Sequence, residues 1–406
     1  MISFQQALEK VISKTPKLPS DVMGTKQALG YALAKPVVAL EEHPMYDLSA
    51  IDGYAVRQSD VADADEKNVI ELKVIAKIPA GDHQKIRLEP GTAALVMTGA
   101  KLPEGSDAVI PLDYVKTKDN RVLINTGISH GENIRYKGSE LRKDDGVLEP
   151  GNYITPGTVA MLAALGYPSV IVHKKPRVAV VTTGDELIDI SQPAVEGKVR
   201  DSNAFFLESA LQKAGVETYM IERVPDEAKL LLYAVSKSIE SADIIIVTGG
   251  VSVAEYNVME PIFSELGVEQ HFWEVAINPN KPVFFGTIGN KLVFGLPGNP
   301  VVVGMLFYEL VLPAILTMMG RRAVYLQRVN ANLESTLTKR GGRLEFIRGY
   351  LSWIGDTWSV VPFMKQESHM MSTFAKSNCI IVFPESRDTM NKGEKVEVHL
   401  LPWFYD

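Results

Sequence analysis

The spacing of apolar side chains divides the chain into regions of different kinds. At the amino terminus the apolar residues repeat with the period of one helix face: Phe4, Ala7, Leu8, Val11 and Ile12. Ser3 and Gln6 predict a capping box at the start of this helix. A second helical segment is predicted over 26–34, and a later helix is predicted to begin at Thr155 and Pro156.

Between residues 44 and 133 the pattern changes to short β-branched and apolar runs separated by glycine and proline. The clearest predicted strands are 69–75, 93–97, 107–111 and 121–124. We therefore predict a mixed α/β N-terminal domain, residues 1–43 and 134–173, which is interrupted by a β-rich insert over 44–133.

From residue 174 to 322 apolar strands alternate with amphipathic helices. The runs 177–182 and 243–248 are continuously apolar, which is typical of buried parallel strands. This pattern predicts a three-layer α/β/α domain with a parallel sheet. After residue 322 alternating runs return, and 323–406 is predicted to be a C-terminal β domain. The fold class is therefore α/β plus β.

Composition and charge narrow the classes of function. Apolar residues make up 46% and charged residues 22% of the 406 residues, as in an ordinary globular protein. The net charge of -7 argues against nucleic-acid binding, although it leaves room for a local basic pocket. The apolar stretch 301–308 is too short to span a membrane, and no secretory signal is seen. The single cysteine, Cys379, excludes an internal disulfide and fits the cytoplasm.

Glycine-rich turns follow three of the predicted strands, at residues 182–186, 248–252 and 295–300. Parallel strands end at the same edge of a sheet, and glycines let backbone N–H groups approach a ligand, so a polar phosphate-bearing ligand is expected there. Taken alone, each turn also fits a tight connection to a helix.

Several acidic residues have two interpretations. Asp185 and Asp226 are each either a helix N-cap or a ligand-binding group, and Glu186 is the better candidate for Mg²⁺ or substrate. Asp52 with Gly53 is typical of a hairpin turn. No histidine spacing for a metal, P-loop, dinucleotide fingerprint or G-x-S-x-G elbow is present, so the sequence gives no support for a Walker-type NTPase or a covalent hydrolase.

Taken in order, the motifs are SAIDGYAV (49–56), MTGA (97–100), NIR (133–135), TGDEL (183–187), TGGVSV (248–253), GLPGNP (295–300) and QESH (366–369). In this set and order the chain resembles the molybdopterin molybdenumtransferases, the MoeA family that includes the gephyrin E domain. The resemblance covers nearly the whole chain. It implies an elongated multi-domain subunit with a MogA-like central domain, a C-terminal β-barrel-like domain, and a cytoplasmic homodimer.

The resemblance also implies a function in molybdenum cofactor biosynthesis. The enzyme would insert molybdate into adenylylated molybdopterin and release AMP with the help of Mg²⁺. A molybdopterin adenylyltransferase-type protein and molybdoenzyme maturation proteins are possible partners, whereas nucleic acid and membranes are not expected.

By the same resemblance, each site residue is assigned a role. The catalytic residues are Asp52, Thr98, Glu186 and Asp226. The substrate-binding residues are Arg135, Glu140, Thr183, Gly184, Asp185, Gly249, Gly250, Ser252, Pro297, Gly298, Asn299 and Pro300. The molybdate-binding residues are Lys281, Arg348 and Ser368. The metal-binding residues are Glu255, Asn257 and Asp226.

Some positions depart from the family pattern. Asn257 replaces an acidic residue and is a poorer Mg²⁺ ligand. Asn278 replaces a lysine, and Glu274 stands where some members carry another lysine. These changes predict slow turnover that depends on high Mg²⁺, with Glu255 as the remaining carboxylate. The alternatives are a catalytically weak paralogue that binds molybdopterin or a protein partner, and a module that binds another phosphorylated ligand.

Overall fold

The structure is a computed structural model, and it describes residues 1–82, 84–251, 258–278 and 282–404. The chain divides into two compact units. The larger unit comprises Met1–Ala34, Pro150–Val159 and Ser169–Asp406, and the smaller unit comprises Lys35–Glu149 and Ala160–Pro168. The smaller unit is therefore largely one continuous insertion into the chain of the larger unit.

The smaller unit contains a six-stranded sheet. In chain order its strands are β1 Gly53–Val56, β2 Ile70–Ile78, β3 Thr92–Val96, β4 Ala108–Pro111, β5 Val115–Lys118 and β6 Arg121–Ile124. The spatial order is β4-β1-β3-β2-β6-β5, and only β2 and β3 run parallel. Strand β2 buries Leu72, Val74 and Ile78 on one face, as the strand period of two requires. The β-rich insert and its four clearest predicted strands are confirmed.

The larger unit begins with helix α1, Phe4–Lys14, at the predicted position. Ser3 and Gln6 form the predicted capping box, because each side chain accepts a hydrogen bond from the other residue's backbone N–H. Helix α2, Pro156–Ala164, follows the predicted cap Thr155, whose hydroxyl accepts from the N–H of Thr158. Local capping signals therefore located both helix starts correctly.

The second helical segment predicted over 26–34 is wrong. This stretch is a series of turns, and Gly30 adopts a left-handed φ of +82°, which a helix cannot contain. Just before it, Ser20–Gly24 forms a strand that pairs antiparallel with Ser169–His173. At the end of the stretch, Ala32 and Leu33 form isolated bridges with Tyr153 and Val172, which are distant in sequence.

The predicted α/β domain forms the centre of the larger unit around a second six-stranded sheet. Its strands are β7 Val178–Thr183, β8 Thr218–Val224, β9 Ile244–Thr248, β10 Glu269–Glu274, β11 Pro282–Ile288 and β12 Lys291–Leu296. The spatial order is β8-β7-β9-β12-β11-β10, and the first four strands are parallel. Strands β11 and β10 are antiparallel, so the prediction of a purely parallel sheet is corrected.

The antiparallel pair has a local cause in the sequence. Only Gly289 and Asn290 separate β11 from β12, and Ile288 pairs directly with Lys291. A two-residue turn with a glycine at positive φ, here +56°, connects adjacent antiparallel strands. A helical crossover needs many more residues, so this connection could not have joined parallel strands.

Helices cover both faces of this sheet, so the three-layer arrangement is confirmed. Helix α3, Ser202–Lys213, packs with buried residues of one face. Helices α4, Ala228–Ser241, and α5, Met259–Glu265, pack on the other face. The inner residues of β7 alternate between the two cores, with Val180 in the first and Val181 in the second.

A long helix, α6, Pro300–Met318, joins α3 in the first core. It is long and apolar enough to cross a membrane, contrary to the expectation from 301–308 alone, but 94% of its apolar window is buried inside the protein. It is therefore a core helix. Its middle residues, Phe307–Val311, form a π turn just before Pro313, whose ring and missing N–H disturb a regular α-helix.

The carboxyl-terminal part of the larger unit contains a closed five-stranded barrel, as predicted. Its strands are β13 Arg328–Leu333, β14 Leu344–Ile354, β15 Thr357–Pro362, β16 Cys379–Phe383 and β17 Lys395–Leu400. The sheet order β14-β15-β13-β17-β16 is closed by pairing of β16 with β14. Helix α7, Met371–Lys376, lies between β15 and β16 in the chain.

Candidate functional site

The three glycine-rich turns lie on the same edge of the central sheet, as predicted. Strands β7, β9 and β12 are in register there, because Thr182 pairs with Thr248 and Thr248 pairs with Leu296. The N–H of Gly249 donates to the carbonyl of Leu296 at 3.1 Å. Ligands of such sheets bind at the carboxyl ends of the strands, so this edge is the first candidate site.

Glycine is required where these turns meet. Gly249 has a φ of +92°, and a Cβ atom there would lie 2.1 Å from the carbonyl oxygen of Thr183. Gly250, at +61°, would bring a Cβ within 2.9 Å of the Val258 side chain. The close approach of the turn after β9 to the end of β7 therefore excludes any side chain at either glycine.

A buried polar network connects the turns to the start of α3. The Thr182 hydroxyl donates to Asp201 at 2.6 Å, and Asp201 also caps α3 by accepting from Ala204 N–H. The Asn203 amide donates to the carbonyl of Gly298 at 2.9 Å. These contacts hold the end of β7, the turn after β12 and the start of α3 in one arrangement.

Asn203 is a candidate residue that the sequence reasoning missed. Its side chain is buried, and its Oδ1 atom has no hydrogen-bond partner among the described residues. A buried acceptor without a donor costs about 1–3 kcal/mol, so a substrate N–H or O–H group that reached this atom would be bound favourably. The signal available in the sequence was its position, two residues after Asp201, which caps the helix.

Asp185 and Asp226 do not cap helices. Each side chain accepts a hydrogen bond from the segment that carries the other residue. Helix α4 has Glu227 at its N-cap position, without a side-chain cap, whereas Asp226 accepts a hydrogen bond from the Thr183 hydroxyl at 2.5 Å. Asp185 accepts from the backbone N–H of Asp226 at 3.1 Å. The N-cap interpretation of both residues is therefore wrong, and they connect the ends of β7 and β8.

Glu186 folds back over the first glycine turn. A Cβ atom at Gly184 would lie within 2.8 Å of both Glu186 carboxylate oxygens. That carboxylate accepts no hydrogen bond from the residues the structure describes. After Glu186 the chain forms a loop closed by pairing of Leu187–Ile188 with Val199–Arg200, so this turn does not lead directly into a helix.

Magnesium fits this donor set. The described residues contain no group of three or more His, Cys, Asp or Glu side chains placed to hold a metal by themselves. Mg²⁺ needs only one or two protein carboxylates when substrate phosphates complete its octahedral shell, and Asp226 and Glu186 suit that role. The predicted ligands Glu255 and Asn257, together with Ser252, lie outside the described residues.

The turn after β12 presents the remaining predicted substrate-binding residues. Pro297 and Gly298 lead into Asn299, which stands at the N-cap position of α6 with Pro300 at the first helical position. The Asn299 side chain makes no cap hydrogen bond. Its amide is therefore free for other contacts at this sheet edge.

In the smaller unit, Asp52 and Thr98 are in direct contact. Asp52 Oδ1 accepts from the Thr98 N–H at 2.6 Å and from its hydroxyl at 2.8 Å. These two hydrogen bonds lower the pKa of Asp52. The hairpin interpretation of Asp52 and Gly53 is wrong, because the preceding strand Leu48–Ser49 pairs with Ile134–Arg135 and not with β1.

The same pairing carries Arg135, which lies opposite Leu48 and is exposed. Glu140 is also exposed and lies 3.6 Å from the ring of His43. Both predicted substrate-binding residues of the smaller unit are thus on accessible strand and loop positions near the segment that carries Asp52.

Arg348 on β14 is completely buried, and its guanidinium donates hydrogen bonds to the loop after β15. Its Nε donates to the Gln366 side chain, Nη1 donates to the carbonyls of Glu367 and Met370, and Nη2 donates to those of Lys365 and Glu367. All five guanidinium N–H groups are thereby occupied. In this arrangement Arg348 holds the loop that carries Ser368, and direct contact with molybdate would require these bonds to be exchanged.

Ser368 is partly accessible on that loop, and Lys281 lies outside the described residues. The residues before Lys281 are placed, because Ile277–Asn278 forms a strand parallel to the start of β14. The amide of Asn278 donates to the Glu345 carboxylate. The position that carries a lysine in the family is thus part of a hydrogen bond to the barrel.

Comparison with family models agrees with this organisation. Residues 2–166 match the model described as "MoeA N-terminal region (domain I and II)". Residues 179–317 match "Probable molybdopterin binding domain", and residues 330–401 match "MoeA C-terminal region (domain IV)". The middle match contains all three glycine-rich turns.

Individual relatives cover the whole chain. A molybdopterin molybdenumtransferase of Staphylococcus aureus (strain COL) is 32% identical over 98% of this chain and 95% of its own length. One of Haemophilus influenzae is 33% identical over 99% of this chain and 100% of its own. The crystal structure of the molybdopterin biosynthesis moeA protein from Pyrococcus horikoshii OT3 superposes with a TM-score of 0.86, at 30% identity, over 99% of this chain and 100% of that one.

Proposed function

Because this chain belongs to the MoeA family of molybdopterin molybdenumtransferases and is thereby a transferase of molybdenum cofactor biosynthesis, we propose that it inserts molybdate into adenylylated molybdopterin and releases AMP. The observation that carries this proposal is the in-register convergence of three glycine-rich turns with Asp226 and Glu186 at one sheet edge. Backbone N–H groups bind phosphate there, and the carboxylates bind its counter-cation.

The residues of this edge have two roles: the glycine-rich turns bind the substrate, and the acidic side chains supply negative charge. The turns at Gly184, Gly249 and Gly298 bind the phosphate groups. Asp226, held by the Thr183 hydroxyl, and Glu186 would hold Mg²⁺, which would supply positive charge to neutralise the substrate phosphates. In the smaller unit, Asp52, whose side chain accepts two hydrogen bonds from Thr98, is proposed to serve AMP release.

Molybdate is a tetrahedral dianion, and cationic and hydroxyl donors suit it. We assign it to Lys281 and Ser368, with Arg348 holding the loop that presents Ser368. Loss of Lys281 is expected to weaken molybdate binding by about 1.5–3 kcal/mol, the worth of a hydrogen bond to a charged group. Unchanged molybdate affinity in Lys281→Ala would place the anion elsewhere.

Single-turnover conversion of adenylylated molybdopterin tests the proposal. AMP release is followed with purified protein, molybdate and a series of Mg²⁺ concentrations. We expect release that requires both molybdate and Mg²⁺ and is slow at low Mg²⁺. Asn257→Asp restores an acidic ligand and should raise the rate at low Mg²⁺, while Glu255→Gln should abolish it.

The alternative is a catalytically weak paralogue that binds molybdopterin or a protein partner. The observation that favours it is the hydrogen bond of Asn278 with Glu345, because the family's lysine at this position is replaced by a residue engaged with the barrel. Absence of AMP release at every Mg²⁺ concentration, with no gain in Asn257→Asp, would select this alternative if the protein still bound adenylylated molybdopterin.

We further propose that the protein works as a cytoplasmic homodimer that receives its substrate from a molybdopterin adenylyltransferase-type partner. Light scattering at micromolar concentration tests the first part, since a monomeric mass would contradict it. Transfer of substrate from such a partner, followed by AMP release, tests the second part.

A further inference from the structure

A second pocket opens at the other end of the parallel strands, opposite the glycine-rich turns. It is lined by residues that come directly before β7 and by the residues that begin β8, with Tyr31 at its side. Its volume is about 430 Å³, and polar atoms contribute most of its surface. It belongs entirely to the larger unit and shares no residue with the proposed catalytic site.

Two cations in this pocket are placed by aromatic rings. Lys175 Nζ lies 4.4 Å from the centre of the Tyr31 ring, and Arg177 Cζ lies 3.7 Å from that of Tyr219. Stacking of this kind orients a cation without using its N–H donors. Neither side chain forms an ion pair or hydrogen bond with any residue that the structure describes.

The Lys175 ammonium is partly buried, so a bound anion would stabilise its charge. Burial lowers the pKa of Lys175, and only the nearby Glu217 carboxylate acts in the opposite direction. By contrast, the neighbouring Lys174 points to Asp21, with 3.6 Å between Nζ and the carboxylate, and takes no part in the pocket. Two adjacent lysines therefore have different surroundings, and only one faces the cavity.

Glycines keep the space around the ammonium open: a Cβ at Gly215 would lie 3.5 Å from Lys175 Nζ, and one at Gly30 would lie 4.0 Å from it. Both glycines have positive φ, so a side chain at either would also strain the backbone.

We propose that this pocket binds the phosphate group of a small phosphorylated molecule, through the Lys175 ammonium and the Arg177 guanidinium. A guanidinium and an ammonium supply several charged donors from different directions, which matches a tetrahedral oxyanion. The two cations exceed the single carboxylate of Glu217 that lines the pocket. The local charge is therefore positive in a protein whose net charge is -7.

Calorimetric titration of the full chain with inorganic phosphate tests this site. Lys175→Met and Arg177→Met should each weaken phosphate binding by about tenfold, since each removes a charge-assisted contact. The double variant should lose this binding. Lys174→Met is the matched control and should bind phosphate as the wild type does.

The location of the bound anion distinguishes phosphate in this pocket from phosphate at the proposed catalytic edge. Selenate-soaked crystals of the wild type should show an anomalous peak between Lys175 and Arg177, and the double variant should lack that peak. Thermal unfolding and AMP release check that the variants are folded. Phosphate affinity unchanged in the folded double variant, or no peak between these residues at saturating selenate, would overturn the proposal.

Discussion

The two ends of the parallel strands in the central sheet carry opposite chemistry. At the carboxyl ends, glycine-rich turns lie beside Glu186 and Asp226. At the amino ends, Lys175 and Arg177 project from the segment before β7, and their side chains form no hydrogen bond or ion pair with the described residues. The comparison teaches that the two ends of one sheet offer a ligand different groups: closely approaching backbone and carboxylates at one end, and side-chain cations at the other.

The largest expected effect comes from a substitution in the glycine-rich turns at the carboxyl ends of the strands. Gly249→Ala places a methyl group 2.1 Å from the carbonyl of Thr183 and forces alanine to a φ of +92°. We expect it to destabilise the protein by at least about 3 kcal/mol and to abolish AMP release. Urea unfolding measures the loss. Gly267→Ala is the control: it has positive φ but open space, and should lose only about 1–2 kcal/mol.

The second prediction tests whether Arg348 is a structural cation, in contrast to the cations proposed to bind a ligand. Arg348→Met removes a completely buried guanidinium and its hydrogen bonds to the carbonyls of Lys365, Glu367 and Met370, and we expect a loss of about 3 kcal/mol in unfolding free energy. Molybdate dependence of AMP release should also weaken, because the Ser368 loop loses its support. A fully stable variant would show that these hydrogen bonds do not hold the loop.

Asp226→Asn isolates the charge at the carboxyl edge. The Thr183 hydroxyl can still donate to the amide oxygen, so unfolding free energy should change by less than about 1 kcal/mol. AMP release should fall by about 100-fold, because a neutral amide is a poor ligand for Mg²⁺. An exposed Asp356→Asn variant is the control. Equal activity of both variants would remove Asp226 from the mechanism.

The smallest expected change is at the amino edge. Lys175→Met should leave stability unchanged or slightly raised, because it removes a desolvated charge. The lowered pKa of Lys175 means that the unfolded chain holds more protons between that pKa and 10.5, so this residue makes stability rise with pH there. The variant should lack that rise in unfolding measured from neutral to alkaline pH. A loss of stability like that of Arg348→Met would make Lys175 a structural residue.

Much of the fold could be predicted from local patterns. Continuous apolar runs located β7 and β9 as neighbouring parallel strands, and the capping box located α1, because both signals depend on near neighbours in the chain. The antiparallel β11 and β10 were missed although Gly289 and Asn290 predict a tight hairpin. The false helix over 26–34 shows the limit: Gly30 adopts a left-handed φ, and Ala32 and Leu33 bridge to distant residues, which a short helical spacing does not reveal.

The candidate site was only partly visible in the sequence. The glycine turns stood out because close backbone approach excludes other residues, and Gly249 illustrates this. Asn203 was not found, because an asparagine near a helix start is ordinary until burial leaves its Oδ1 without a donor. Asp185 and Asp226 were ambiguous, because the same residue type caps helices or holds a neighbouring strand end.

The sequence by itself determined the order of domains, the parallel core and the glycine turns, since these follow from periodicity and backbone sterics. It did not determine what each charged side chain does. Arg348 and Arg177 are the same residue type, yet Arg348 is buried with every donor bonded to a loop, and Arg177 lies on a tyrosine ring without a hydrogen bond from its guanidinium to the described residues. Only the tertiary structure decided this, because the partners of a long cationic side chain come from segments distant in the chain.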